Sequence, residues 1–168
     1  MNPSAFHTAF LLLGSNLEPR GEWLQFAITQ LEQRCGKISQ LSAIYETAPW
    51  GKQDQPKFLN QAVGLHTPLQ PEELLFQTLS IEKEAGRDRE VRWGARTLDI
   101  DIILYEDVVM HTAQLTLPHP AMQERRFVLQ PLYEIAPQVV HPVYHLTIKE
   151  LLDRCKDSLQ VKKIARQI

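Results

Sequence analysis

Cysteine is scarce in this chain: Cys35 and Cys155 are the only two in 168 residues. They form no Cys-x-x-Cys or other metal-ligand spacing, and two thiols so far apart make no disulfide framework. Incidental thiols in a reducing compartment are the expectation. Long apolar runs are missing as well. The longest, Ala9–Leu13, falls far short of a membrane span. No Lys or Arg precedes Arg20, so the basic start of a signal peptide is absent. Positive charge is not in surplus either: 18 basic residues stand against 20 acidic ones, for a net charge of -2. That balance argues against a general nucleic-acid binder. No internal repeat, low-complexity stretch or linker interrupts the chain. A cytoplasmic enzyme, monomeric and without a membrane or nucleic-acid partner, is the expectation.

What is present is ordinary in bulk. The chain is 43% hydrophobic and 23% charged, as a globular protein is. At this length one domain over residues 1–168 is expected, large enough to bury about 70% of its unfolded surface. Phe6–Leu13 reads as a strand buried on both faces, and Gly14-Ser15-Asn16 breaks it. Glu18–Gln33 carries apolar residues at helical spacing, with Gly36 as its stop. Ile38–Ala48 and Phe58–Thr67 read as strands around a polar loop, Pro49–Lys57. Pro71-Glu72-Glu73 opens a helix that runs to Gly86. Thr97–Tyr105 reads as a strand, Val108–His111 as a short return strand, and Leu117–Arg125 as irregular. Arg126–Ile135 reads as a helix, and so does the stretch after Thr147, which caps it in a box with Glu150. The order β-α-β-β-α-β predicts an α+β, ferredoxin-like (split βαβ) sheet, mainly antiparallel. Helices would pack mainly on one face and leave the other open to ligands.

One stretch stands out, Arg87–Asp101. It holds Arg87, Arg89, Arg92 and Arg96 and no lysine, then Asp99 and Asp101. Arginine's planar fork fits phosphate oxygens two at a time. Two carboxylates at i and i+2 of a strand point to the same side. There they can share a hard cation such as Mg2+, usually completed by substrate phosphates. In Thr97–Leu104 the apolar side holds Leu98, Ile100, Ile102 and Leu104, so both aspartates project away from the core. The loop before them is long enough for a lid, with Trp93 packing when it closes. Phe58 and Asn60 share a side of their strand. An aromatic face stacks on a flat ring, an Asn amide both donates to and accepts from a heterocycle edge, and Phe127 could supply a second face. His119 sits between two prolines with Arg125 nearby, placed for a phosphate or a structural role. Gly14-Ser15-Asn16, between strand and helix, is a position suited to anions.

Together these residues resemble the 6-hydroxymethyl-7,8-dihydropterin pyrophosphokinase family of folate biosynthesis. The resemblance runs from Gly14-Ser-Asn16 through Tyr45-Glu-Thr-Ala-Pro49-Trp-Gly51, Phe58-Leu-Asn60, Ile81-Glu82 and Gly86-Arg87. It is strongest at Arg92-Trp-Gly-Ala-Arg96-Thr-Leu-Asp99-Ile-Asp101 and ends with His119, Arg125-Arg-Phe127 and Glu134-Ile-Ala-Pro137. It implies transfer of pyrophosphate from ATP to the pterin hydroxymethyl group, giving AMP. Asp99 and Asp101 would hold two Mg2+ ions. Arg87, Arg96 and Arg125 would meet the triphosphate, supported by Arg89 and Arg92. Glu82, Trp93, Ile102 and His119 would lie at the nucleotide. Thr47, Pro49, Trp50, Gly51, Asn60 and Asp99 would line the pterin site, with the ring between Phe58 and Phe127.

Two other classes stay open from the residues alone. A nucleotidyltransferase also pairs a Gly-Ser turn with Asp-x-Asp, though usually close in sequence. It would release pyrophosphate instead of AMP. An RNA-binding ferredoxin-like module could use Phe58 as a stacking platform, and would bind RNA in a salt-dependent way without ATP turnover.

Overall fold

A computed structural model describes residues 5–48, 55–86 and 97–165. The first strand, β1 (His7–Ser15), is central, and its apolar run explains why. Ala9, Leu11 and Leu13 enter one buried cluster while Phe10 and Leu12 enter another on the opposite face. The next elements are α1 (Arg20–Arg34), β2 (Lys37–Leu41), β3 (Ile44–Thr47), β4 (Phe58–Thr67), α2 (Pro71–Glu84) and β5 (Asp99–Tyr105). A small hairpin, β6 (Met110–His111) with β7 (Thr116–Leu117), precedes α3 (Arg126–Ile135), α4 (Ile148–Arg154) and β8 (Val161–Ala165). The main sheet runs β5-β1-β4-β3-β8, with β2 also paired to β4, and every pairing is antiparallel. Taken as one interrupted strand, β2 and β3 complete the expected split βαβ order.

The interruption has a local cause. The Ser42 hydroxyl accepts the Ala62 N–H at 2.9 Å, as a neighbouring strand's carbonyl would, and β2 shifts register on β4 between Ile38 and Gln40. At the turn into β2, Gly36 has φ +150, and a Cβ there would stand 2.0 Å from the His66 carbonyl oxygen. No side chain fits.

Leu24, Ala27, Ile28 and Leu31 of α1, with Leu74 and Ile81 of α2, bury one face of the sheet. The opposite face is not left wholly open. Val128, Leu129 and Leu132 of α3, with Ile148 and Leu151 of α4, cover half of it against Phe10, Leu12, Ala62 and Ile103. The capping box at α4 is present as read: the Glu150 N–H donates to Thr147 Oγ1 and Glu150 takes the Thr147 N–H. β8, which lies along β3, was not among the expected strands.

The two thiols differ in access. Cys35 is 2% exposed, and burial pushes its pKa up to about 11, with Arg34 opposing. Cys155 is half-buried at the end of α4. A disulfide thiol reagent at pH 8 is expected to titrate one thiol per folded chain and two after denaturation. Two fast thiols in the folded protein would contradict the burial of Cys35.

Candidate active site

The site is built by register. Thr47 on β3 pairs with Phe58 on β4, Asn60 on β4 pairs with Gly14 on β1, and Gly14 pairs with Asp99 on β5. Asp101 pairs with Leu12. Leu12 and Ala62 point to the α3 side of the sheet. By alternation Gly14, Phe58, Asn60, Asp99 and Asp101 point the same way. These residues form a row across the end of the sheet that α3 and α4 do not cover. Ile100 and Ile102 point oppositely, into the core with α1 and α2.

The row has a fixed floor. Asn60 is 3% exposed and donates its Nδ2 hydrogen to Thr47 Oγ1 at 2.7 Å, which sets the orientation of its amide. Gly14 lies beneath them: a Cβ there would meet Asn60 Oδ1 at 3.1 Å and the Phe58 ring at 3.7 Å. Glycine is required there for packing. This corrects the expectation of an anion-binding turn. Ser15 and Asn16 are buried, and Asn16 Nδ2 donates to Gln55 Oε1 at 2.9 Å and to the Pro56 carbonyl at 3.1 Å. The turn fastens the start of β4 and does not face a ligand. Arg20 adds a second fastening, to Glu46 at 3.0 Å and to the Lys57 carbonyl at 3.0 Å. Neither tie was foreseen, because an Asn or Arg beside a loop has no sequence signature for such partners. A cavity of about 360 Å³ lined by Asn16, Arg20, Glu46 and Lys57 lies behind the row, since Glu46 leaves β3 on the side opposite Thr47.

The other wall starts where α3 does. Arg125 is the N-cap residue and Phe127 lies in the first turn, with the guanidinium carbon 5.8 Å from the ring centroid. Asp99, Asp101, Phe58, Arg125 and Phe127 are all half-buried, as ligand-facing groups on a built surface are.

The free edge of β5 forms the third side. Glu82, 1% exposed on the last turn of α2, accepts the Ile100 N–H at 2.7 Å. One carboxylate oxygen expected at the nucleotide is thus committed to the strand between the two aspartates. Ile102 follows Asp101 on the core side of β5. Its side chain is 4% exposed in the core, so any ligand contact there falls to its backbone. Because the Ile100 N–H faces the outer edge, that of Ile102 faces the same way. His119 docks on this edge by donating its N–H to the Ile103 carbonyl at 2.9 Å. Its Nδ1 accepts the Ala121 N–H at 3.3 Å, so Nε2 carries the proton of the neutral ring. Arg87, Arg89, Arg92, Trp93 and Arg96, with the lid they were expected to form, lie outside the described residues, as do Pro49, Trp50 and Gly51.

Burial first, then the nearby Arg125 charge, pushes the His119 pKa down to about 4, with Asp99 pulling weakly the other way. The ring is neutral at pH 7. From 6.5 down to about 4 the unfolded chain takes the proton and the folded one does not. Stability is therefore intact above that window and falls with pH inside it, by at most about 1.4 kcal/mol per unit. In metal-free protein His119→Asn is expected to flatten the fall of the urea midpoint between pH 7 and 5. Parallel curves for the two proteins would show that His119 titrates normally.

Among the described residues no three His, Cys, Asp or Glu side chains cluster to hold a metal. On the described part of β5, Asp99 and Asp101 offer two carboxylates. That donor set suits a hard cation completed by ligand oxygens and water better than a closed structural site.

The class these features define is an α+β protein with a ligand site on the open end of an antiparallel, ferredoxin-like sheet. The family profile described as 7,8-dihydro-6-hydroxymethylpterin-pyrophosphokinase (HPPK) matches residues 10–137, and the chain belongs to that family. The chain is 43% identical over 143 residues to the Aquifex aeolicus 2-amino-4-hydroxy-6-hydroxymethyldihydropteridine pyrophosphokinase, covering 85% of this chain and 89% of that one. It is 50% identical over 132 residues to the Bacillus subtilis protein of the same name, covering 78% and 79%. Folic acid synthesis protein fol1 of Schizosaccharomyces pombe is 42% identical over 147 residues, 87% of this chain but 20% of that protein. Among solved structures, an HPPK-DHPS in complex with substrates superposes with a TM-score of 0.74 at 16% identity. The match spans 90% of this chain and 43% of the HPPK-DHPS chain. A likeness at that identity speaks for the fold alone.

Proposed function

We infer that the chain is an ATP-dependent pyrophosphokinase of folate biosynthesis, transferring pyrophosphate to the hydroxymethyl group of 6-hydroxymethyl-7,8-dihydropterin. Membership of the family favours neither the nucleotidyltransferase nor the RNA-binding alternative. The observation that carries the reading into the structure is the row itself. Phe58 and Asn60 stand one strand from Gly14 and two from the carboxylates of Asp99 and Asp101, with Thr47 one strand further out.

In this reading the pterin edge meets Thr47 and Asn60, with the amide donating and accepting, and its faces meet Phe58 and Phe127. The ring then points its hydroxymethyl group along the row toward β5. Asp99 and Asp101 would hold divalent cations, two Mg2+ ions, which would supply neutralisation of phosphate charge. Arg125 reaches the triphosphate from the start of α3, and Arg87, Arg89, Arg92 and Arg96 are assigned to the same phosphates, with Trp93 assigned to the nucleotide. His119 offers Nε2–H as a neutral donor to the nucleotide, beside the outer edge of β5. The pterin hydroxyl oxygen attacks the β-phosphorus in line. An O–Pβ bond forms, the bond from Pβ to the bridging oxygen of the α-phosphate breaks, the hydroxyl proton passes to water, and AMP leaves. Such transfer depends on positioning and charge neutralisation more than on a strong base.

We read the chain as one catalytic domain, acting as a cytoplasmic monomer. No helix among the described residues is long and apolar enough to cross a membrane, and light scattering should give a mass near 19.4 kDa. The test of function is product analysis. ATP, Mg2+ and the hydroxymethyl dihydropterin should yield AMP and pterin diphosphate in equal amounts, with no AMP when the pterin is omitted. Release of free pyrophosphate with an adenylylated product would replace this reading by nucleotidyl transfer.

A further inference from the structure

Two parts of the family resemblance, Tyr45 and Glu134, have no role in the chemistry above, yet they meet in the structure. They are separated by 89 residues. The Tyr45 hydroxyl donates to Glu134 Oε1 at 2.7 Å, and the Ala43 N–H donates to Glu134 Oε2 at 2.9 Å. Both donors are buried, with Ala43 at 1% and Tyr45 at 5% exposure. A single carboxylate at the end of α3 thereby ties that helix to β3 through two directed bonds.

What those elements carry gives the tie its meaning. Tyr45 and Thr47 lie two residues apart on one side of β3, as the bonds of Tyr45 to α3 and of Asn60 to Thr47 require. Glu134 and Phe127 lie seven apart on α3, two turns along one face and about 10 Å along the helix, with Pro131 between them removing the backbone bond to the Phe127 carbonyl. Clamping Tyr45 to Glu134 therefore sets the spacing between Phe127 and the Thr47–Phe58 pair across the cleft. The apolar packing of Val128, Leu129 and Leu132 on the sheet holds the helix down but is non-directional. It does not by itself fix roll or slide. At its other end the helix is anchored by Arg126, which donates from its N–H to Asp157 Oδ2 at 3.0 Å and from Nη2 to the Cys155 carbonyl at 3.0 Å. The helix is thus pinned at both ends, and the Glu134 pin joins it to the strand that carries Thr47.

We propose that Glu134 and Tyr45 are positioning residues that set the width of the pterin cleft. Neither touches substrate; both act through the placement of Phe127 against Thr47 and Phe58. The proposal rests on the pterin assignment of this cleft. It predicts a split that a merely stabilising bond would not produce, in which pterin affinity falls and nucleotide affinity does not.

The experiment compares the full chain with Tyr45→Phe, Glu134→Gln and the double variant. Pterin and ATP dissociation constants are measured separately, together with KM, kcat and the thermal midpoint. Tyr45→Phe removes one donor and keeps the ring. Glu134→Gln keeps the shape but cannot accept from both donors. Each single change is expected to raise the pterin Kd and KM by about fivefold to tenfold, the size of one lost charge-assisted hydrogen bond. The ATP Kd should stay within about twofold, because Asp99, Asp101, Glu82 and His119 lie off α3 and Arg125 alone of the described nucleotide groups rides on it, at the end that Arg126 anchors. The double variant should bind pterin no more weakly than the worse single, because the two changes remove one interaction. A lowered midpoint with pterin affinity unchanged would overturn the proposal, as would an equal loss of ATP and pterin affinity. If Glu134→Gln does not fold, Tyr45→Phe alone decides by the same split. The wild-type protein separates the two levels of inference. Failure of wild type to bind pterin refutes the functional reading, whereas binding that the variants leave intact refutes only the clamp.

Discussion

Asp101→Asn is expected to reduce pyrophosphate transfer by about a thousandfold or more, the equivalent of roughly 4 kcal/mol of transition-state stabilisation lost with metal binding. The substitution keeps size and shape and removes one charge. Asp99 and Asp101 project from β5 on the side away from Ile100 and Ile102. Their Cα atoms are about 7 Å apart, as two residues on one strand face are. At a half-buried surface two such carboxylates repel each other by something on the order of 1 kcal/mol, and a divalent cation reverses the sign. Function and stability should therefore separate. The thermal midpoint of the metal-free variant is expected within about 3 °C of wild type, or above it. Turnover and Mg-nucleotide binding should collapse in the same protein. A clearly destabilised variant that still turns over with Mg2+ would make Asp101 a structural partner of its neighbours and not a metal ligand.

The second large effect belongs to the aromatic walls. Phe58→Ala and Phe127→Ala are each expected to weaken pterin binding by roughly 1–3 kcal/mol, the worth of a stacked ring, with ATP affinity little changed. Both rings are half-buried, so removing them opens no sealed cavity, and the thermal midpoint should fall less than for a core substitution such as Leu129→Ala. Isothermal titration with each ligand alone distinguishes the two assignments. If ATP binding falls as far as pterin binding, the rings belong to the packing of the sheet face and not to a ligand.

Features governed by short-range periodicity were legible in the residues. The alternation put Asp99 and Asp101 on one side because a strand has a period of two, but it ends at a bulge beyond Ile102, which carries Leu104 to the α3 side and away from Ile100 and Ile102, against the expected face. Thr147 and Glu150 announced their cap because the two bonds of a capping box lie within four residues. The double burial of β1 was visible in its unbroken apolar run. Features settled by tertiary neighbours were not legible. Glu82 looks like any acid near the end of an amphipathic helix until Ile100 on β5 takes its oxygen. The break at Ser42 depends on the Ala62 amide of another strand. Gly14-Ser15-Asn16 matched an anion-binding position by its place between strand and helix, yet Asn16 turns to Gln55 and Pro56. In each case the deciding partner is distant in sequence.

The last strand has a consequence for handling the protein. β8 is short and largely exposed, yet along Ile44–Thr47 it satisfies the outer edge of the strand that carries Thr47. An unprotected edge of this kind is a template for pairing with another chain. Lys162 and Lys163 in β8 give the new outer edge two cations, which discourage a further strand from adding. A version shortened before Val161 would therefore lose little buried apolar surface, but it would gain a self-complementary margin beside its own active site. Its failure would take the form of concentration-dependent association with loss of pterin access, not of a lowered melting temperature.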